Sequence, residues 1–393
     1  MSAAIETAVG ARVETAGARA HALLFEAAVA AEDGRERDAR ALLAEARAGI
    51  DPDADPRDML PMYYLAGLSG RLEGEESLNL YLRRYRRPQI DLFYLLTRHL
   101  PFVRAGRLAN AHLLGRLGEH ATATLLSIGI GQGRQESALL AEAAARDLPL
   151  RHLVVVGVDP AAEALAAAEA NLLRAGAEHG IEVTFHAVPR ATEALDDADW
   201  RLIGQAPRPL LAVASFALHH MLNPRPGHDA RDVFLRRLRA LEPAAVALCE
   251  PGSDHHQVGL AERFVNSWRM FGTLFEAIDG LPLARAEQDA MKSFFGREIL
   301  DIVGAADDGG RYERHETTAT WLRRLRRCGY TPTVPAVTGD LAGVLTAPPD
   351  FTMGVEPDHV RLGYRDVPLL AVMTAVPGTV VSASPTSTSA CAA

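Results

Sequence analysis

The sequence is almost without lysine. Of its 41 basic residues only Lys292 is a lysine, and acidic residues prevail to a formal charge of -9. Bulk attraction to a phosphate backbone is therefore absent, and a nucleic-acid role would need a local basic patch. The run Arg83, Arg84, Arg86 and Arg87 is the best such patch, but it reads more simply as a solvated helix face with Glu73, Glu75 and Glu76 as charge partners. No direct nucleic-acid contact is expected. The cysteines Cys249, Cys328 and Cys391 are too few and too scattered for a disulfide framework or a zinc ribbon, which suits a reducing cytoplasm. A long apolar run is missing as well. Glu6, Arg12 and Glu14 interrupt the N-terminus, and Val367 to Val381 is broken by Pro368 and Pro377, so neither signal peptide nor membrane span is expected.

What is present is a 393-residue chain, 48% apolar and 23% charged, able to bury a large core. Residues 1–120 read as an α-helical cap: Ala22, Leu23, Leu24 and Ala27, then Ala41, Leu42, Leu43 and Ala46, recur at helical spacing. Asp51 to Pro56 breaks the pattern, and helices are expected again over Leu60–Leu72, Leu78–Tyr85 and Ile90–Leu100. From about Thr124 the pattern alternates. Strands are expected at Leu125–Gly129, Leu153–Val158, Ile181–Val188, Leu210–Ser215 and Ala244–Cys249, with helices at Gln135–Arg146, Ala161–Ala175 and Asp229–Leu241. Such apolar strands suit a parallel sheet covered on both faces. Residues 121–257 are thus a Rossmann-like α/β cofactor-binding core, and 258–320 a helical insertion that joins the cap. Residues 321–381 complete the core with a closing antiparallel hairpin, and 382–393 form a small, polar, disordered tail.

The first strand runs into Gly129-Ile-Gly131-Gln132-Gly133, glycines that let a ligand approach main chain where a Cβ would collide. A dinucleotide fingerprint needs a third glycine at position 134, which is Arg134, so the loop argues against nicotinamide cofactors. S-adenosylmethionine has no phosphate and fits better. Asp159, ending the second strand, is placed to accept both ribose hydroxyls. After the fourth strand, Ser215 to Leu222 with its His219-His220 pair resembles the Leu-His-His segment of class I S-adenosylmethionine-dependent methyltransferases, where it lies between cofactor and substrate.

A wider resemblance runs from about Leu23 to Ala375. Pro101 to Arg104, Ala109 to His112, Phe295 to Ile299, Arg311-Tyr-Glu-Arg-His-Glu316 with Trp321, Gly329-Tyr330, and His359 to Ala375 appear in order and resemble the GRAS family, known mainly as plant regulatory proteins. That resemblance implies a methyltransferase-like core under a helical cap, often as a dimer. Plant members typically carry an Asp-containing sequence before the Gln-containing loop, whereas here the strand runs Leu126-Ser-Ile128 into an intact Gly-x-Gly-x-Gly, and this departure favours a cofactor-binding, enzymatic member.

The expected activity is therefore S-adenosylmethionine-dependent methyl transfer to a small molecule or peptide held between core and cap, with S-adenosylhomocysteine as product and a homodimer possible. Gly129, Gly131, Gln132, Gly133, Asp159, Ser215 and His219 are the candidate cofactor contacts. Glu250, His220, His255 and His256 are the candidate catalytic groups, because ligands sit at the carboxyl ends of parallel strands and histidine titrates near neutrality. One histidine of each pair can equally pack or cap a helix. No metal is assigned; Glu250, His255 and His256 are the alternative ligand set, without a tight spacing to support it. The charged residues Arg297, Glu298 and Arg311 to Glu316 read better as an ion-pair network than as a substrate site, and Tyr63, Tyr64, Trp268 and Phe271 as core. The other reading is a non-catalytic GRAS-like regulator or scaffold that binds a small ligand or protein partners.

Overall fold

The computed structural model describes residues 18–225, 227–348 and 350–378; the expected tail, Cys391 and the N-terminal Glu6, Arg12 and Glu14 lie outside the described residues. The chain begins with helices: α1 (18–32), α2 (Glu36–Arg47), α3 (Met59–Glu73), α4 (Gln89–His99) and α5 (Gly106–Leu114). An alternating stretch follows, β1 (Thr122–Ile128), α6 (Arg134–Ala145), β2 (His152–Val158), α7 (Ala162–His179), β3 (Glu182–Val188), α8 (Asp197–Gln205), β4 (Leu210–Ser215), α9 (Ala230–Ala240) and β5 (Ala245–Pro251). The parallel strands lie in the order β3-β2-β1-β4-β5. The order reverses between β1 and β4, which opens a crevice at their carboxyl ends.

Neighbouring residues of each inner strand enter opposite cores. Leu125, Val155, Val213 and Ala247 face the helices of the cap side, whereas Leu126, Val156, Ala212 and Val246 face α8, α9 and the later helix α12. Both faces of the sheet are thus covered, and that is why these strands read as unbroken apolar runs.

After β5 come the long helices α10 (Leu260–Asp279) and α11 (Arg285–Gly304), then α12 (Thr318–Arg327), β6 (Tyr330–Thr333), α13 (Gly339–Thr346), β7 (Phe351–Val355), β8 (Val360–Tyr364) and β9 (Val367–Pro377). Helix α11 packs on α3, α4 and α10, so the insertion and the N-terminal helices build one cap. Gly67 of α3 and Gly304 of α11 allow that approach: a Cβ on Gly304 would stand 3.0 Å from the Gly67 carbonyl oxygen. Strand β9 runs antiparallel to β5, and its two halves pair with β8 and β6. The expected closing hairpin is present, extended by β7.

The expected helix over Leu78–Tyr85 does not form. Gly74 ends α3 in the left-handed region at φ +79°, and residues 75–88 run as an irregular segment to Pro88. Proline disfavours helical backbone in the residue before it, and the Arg83–Arg87 run lacks the apolar stripe a helix would bury. Glu250, expected just beyond the fifth strand, lies inside β5, which continues to Pro251.

Candidate functional site

A cavity of about 440 Å³ occupies the crevice. Its floor is Gly129, Gly131, Gln132, Asp159 and Ser215, and its roof is Tyr81, Phe93 and Tyr94 of the cap. All three glycines of the loop have positive φ: +66° at Gly129, +54° at Gly131 and +69° at Gly133. The tight turn they make also uses its own amides. Gly129 and Ile130 donate to the Val158 carbonyl, Gly131 donates to Asp159 Oδ2 at 3.0 Å, Gln132 to the Tyr94 hydroxyl at 3.1 Å, and Gly133 to the Ile130 carbonyl. The five amides of Gly129–Gly133 are thus taken up within the turn and by Asp159 and Tyr94.

Asp159 both closes the loop and borders the cavity. Its second oxygen accepts the Ala161 amide at 2.9 Å, and burial raises its carboxyl against the pull of those two amides. A carboxylate has about four acceptor positions, so two remain for hydroxyl donors. Arg134, which breaks the dinucleotide pattern, opens α6 and places its guanidinium 3.5 Å from the Tyr94 ring centre. The cap is thereby pinned to the loop through Tyr94 by a hydrogen bond and a cation–π contact.

Behind the Ser215–Met221 turn lies a second polar region, sealed from solvent. His219, in a single turn of tight helix after β4, puts Nδ1 2.6 Å from Glu250 Oε2 and Nε2 3.5 Å from Glu313 Oε2. Burial opposes a charge on His219, but the two carboxylates outweigh it and push the imidazolium up to about 10. Glu250 Oε1 accepts the amides of Ala217 and Leu218. Burial would raise this carboxyl, yet His219 and these amides hold it below its ordinary value. Burial and the His219 charge push His220 and His315 each down to about 4, so both are neutral.

The hexapeptide Arg311–Glu316 is buried along most of its length. Glu316 receives Arg324 Nε at 2.6 Å and a second Arg324 nitrogen at 2.7 Å, with Arg231 and His256 each 2.9 Å away. Arg231, 1% exposed, also donates to the carbonyls of Leu218, His219 and Arg314. Arg324 continues to Asp232 of α9 at 2.6 Å. The segment thus ties α9 and α12 to the turn carrying His219, whereas Arg297, expected in the same network, instead donates to Gln89 and stacks on Tyr85.

The candidate residues divide accordingly. Gly129, Gly131, Gln132, Asp159, Ser215 and His220 border the cavity. Gly133 instead packs on α7, where a Cβ would meet that of Ala168 at 3.2 Å. His219 and Glu250 are spent on each other. His255 is buried against Phe271 and His315, with neither ring nitrogen hydrogen-bonded, and His256 is held by Arg231 and Glu316. Glu250, His255 and His256 therefore share no ligand position; among the described residues the His/Glu group that converges is His219, Glu313 and His315. Sequence reading missed the roofing Tyr81 and Tyr94. Tyr94 carried a signal in its helical spacing, on one face of α4 with Asp91 and Arg98, and all three line a shallow depression with Arg134.

The GRAS domain family model matches residues 20–338. The chain belongs to that family. Among its relatives, the Scarecrow-like transcription factor PAT1 of Arabidopsis thaliana is 24% identical over 311 residues, covering 75% of this chain and 62% of that protein. The DELLA protein RGL3 of Arabidopsis thaliana is 26% identical over 229 residues, 57% of this chain and 43% of that protein. The chain thus spans less than two thirds of either relative. The crystal structure of SCL7 from Oryza sativa superposes with a TM-score of 0.71 at 25% identity, over 85% of this chain and 93% of that one. In this GRAS chain no described helix is long and apolar enough to cross a membrane.

Membership overturns the expected methyltransferase. PAT1 is by name a transcription factor and RGL3 a DELLA protein, and neither name is that of an enzyme or points to a small-molecule substrate. The physical counterpart is the fate of the candidate catalytic groups: Glu250, His255 and His256 are absorbed into buried structure, and only His220 reaches the cavity.

Proposed function

We propose that this GRAS protein is a non-catalytic regulatory or scaffold protein that acts through protein partners, and that its crevice holds a nucleoside-type ligand of the S-adenosylmethionine class. The observation that carries the reading is the division of the polar groups. Asp159 faces an apolar-roofed cavity with acceptor positions in hand, as ribose recognition requires, while His219 and Glu250 behind it are locked in an ion pair. The glycine loop and cap meet at Tyr94, so a ligand in the crevice touches core and cap together and favours the closed arrangement of the two.

Titration calorimetry with S-adenosylhomocysteine and with adenosine tests the ligand. Binding at one site per chain, lost in Asp159→Ala, is the expected result, and no heat with either compound at millimolar concentration overturns it. For the regulatory role, transcript levels in a host strain lacking the protein should change and be restored by the wild-type chain. An unchanged transcript profile overturns that role.

A further inference from the structure

His219, Glu313 and His315 bring one nitrogen or oxygen each to within 4.8 Å of one another, and all three side chains are buried. Glu313 Oε2 lies 3.5 Å from His219 Nε2 and 3.3 Å from His315 Nε2. These distances are long for charge-assisted hydrogen bonds, which run at about 2.7–2.9 Å. They match the edge of a tetrahedron around zinc: bonds of about 2.0–2.1 Å place neighbouring ligand atoms roughly 3.3–3.4 Å apart.

The surroundings support the same centre. Glu250 takes the Nδ1 side of His219 at 2.6 Å and is itself fixed by two amides, which leaves Nε2 facing Glu313. A carboxylate behind a ligating histidine is the usual outer partner of a metal site. On the open side, a small cavity of about 40 Å³ reaches His219, His315, Glu298 and Tyr81, room for one water in the remaining position.

We infer that His219, Glu313 and His315 bind a divalent transition-metal ion, zinc by donor type, with a water in the fourth position and Glu250 orienting His219. Two imidazoles and a carboxylate suit zinc over magnesium or calcium. The ion would staple the hexapeptide to the turn after β4, independently of any ligand in the crevice. Because the three groups are sealed, loading accompanies folding.

Tag-free full-length protein expressed with added zinc and dialysed against metal-free buffer should retain on the order of one zinc per chain by elemental analysis. Expression with cobalt should give the intense visible absorption of a tetrahedral site. Glu313→Gln with His315→Gln should remove the metal, and Glu250→Gln should weaken binding by roughly 10- to 100-fold. A wild-type chain with no more than trace zinc and no cobalt spectrum overturns the site, and so does a folded double variant that keeps its zinc. If the variants do not fold, metal content and the cobalt spectrum of the wild-type chain decide alone.

Discussion

Nδ1 of His219 lies 2.6 Å from Oε2 of Glu250, and both side chains are closed off from solvent. The pair joins the end of β4 to β5, next to the floor of the crevice. Removing one member of a buried pair strands the other, at a cost of roughly 3–5 kcal/mol. Glu250→Ala is expected to lose that much in urea unfolding. Glu250→Gln, which keeps an acceptor for the Ala217 and Leu218 amides, should lose less. Equal losses would mean that the acceptor retained by Gln contributes nothing and that the whole cost lies in the charge of Glu250.

Glu316 gathers Arg231, Arg324 and His256 around one carboxylate. Burial opposes its ionisation, but the His256 and Arg324 hydrogen bonds and the charges of Arg231 and Arg324 hold it far below the usual value of 4.5. A depressed carboxyl stabilises fully above its unfolded value and loses that contribution as pH falls below it. Acid unfolding should therefore be steeper in the wild type than in Glu316→Gln between pH 5 and 2, with Glu316→Gln already weaker by roughly 3–5 kcal/mol at pH 7. Parallel pH profiles of the two would sink the assignment.

Much of the fold was legible because its signals are local. Apolar runs and the turn chemistry of Gly129–Gly133 mark the strands and the crevice wherever both sheet faces are covered. Helix α8 was not among the expected elements: it has only nine residues, although Asp196 and Asp199 cap its start reciprocally. Strand β7 was hidden by Gly354 and by its edge position, where pairing with β8 rather than composition makes it a strand. The site divided along the same line. Asp159 could be placed from the end of its strand, whereas His219, Glu313 and His315 come from distant segments that only the cap insertion brings together. Histidine pairs in sequence gave the right neighbourhood and the wrong partners, because side-chain direction after β4 depends on how Arg231 and the hexapeptide close over the turn.

Gly129 and Gly131 offer a contrast within one loop. Both have positive φ, but a Cβ on Gly129 would stand 2.6 Å from that of Ala217, while on Gly131 the nearest atom is the Tyr94 hydroxyl at 3.3 Å. Gly129→Ala combines a strained backbone with a collision between two fixed segments and should cost about 2–4 kcal/mol. Gly131→Ala should cost about 1 kcal/mol from the backbone alone, yet weaken adenosine binding, because its methyl group enters between Tyr94 and the cavity. Thermal unfolding ranks the stabilities and calorimetry the affinities. A Gly131→Ala variant that is the less stable of the two, or that binds adenosine like the wild type, contradicts this account of the loop.

Glu136 connects the glycine loop to pH. It sits in the first turn of α6 with Oε1 2.6 Å from the Ser127 hydroxyl of β1, while Oε2 is buried without a partner. Burial raises its carboxyl from 4.5 to about 6, the Ser127 hydrogen bond offsetting only part of the effect. The folded protein therefore holds this proton more tightly than the unfolded chain does. The stabilisation is complete below pH 4.5 and is lost as pH rises through about 6. Above that range the ionised group costs about 2 kcal/mol, the free energy equivalent to the raised value. Glu136→Gln cannot ionise, so its stability relative to wild type should rise by that amount between pH 4 and pH 7.5. Urea unfolding of both chains at the two pH values measures the difference directly, and a difference that does not change with pH would place the proton elsewhere.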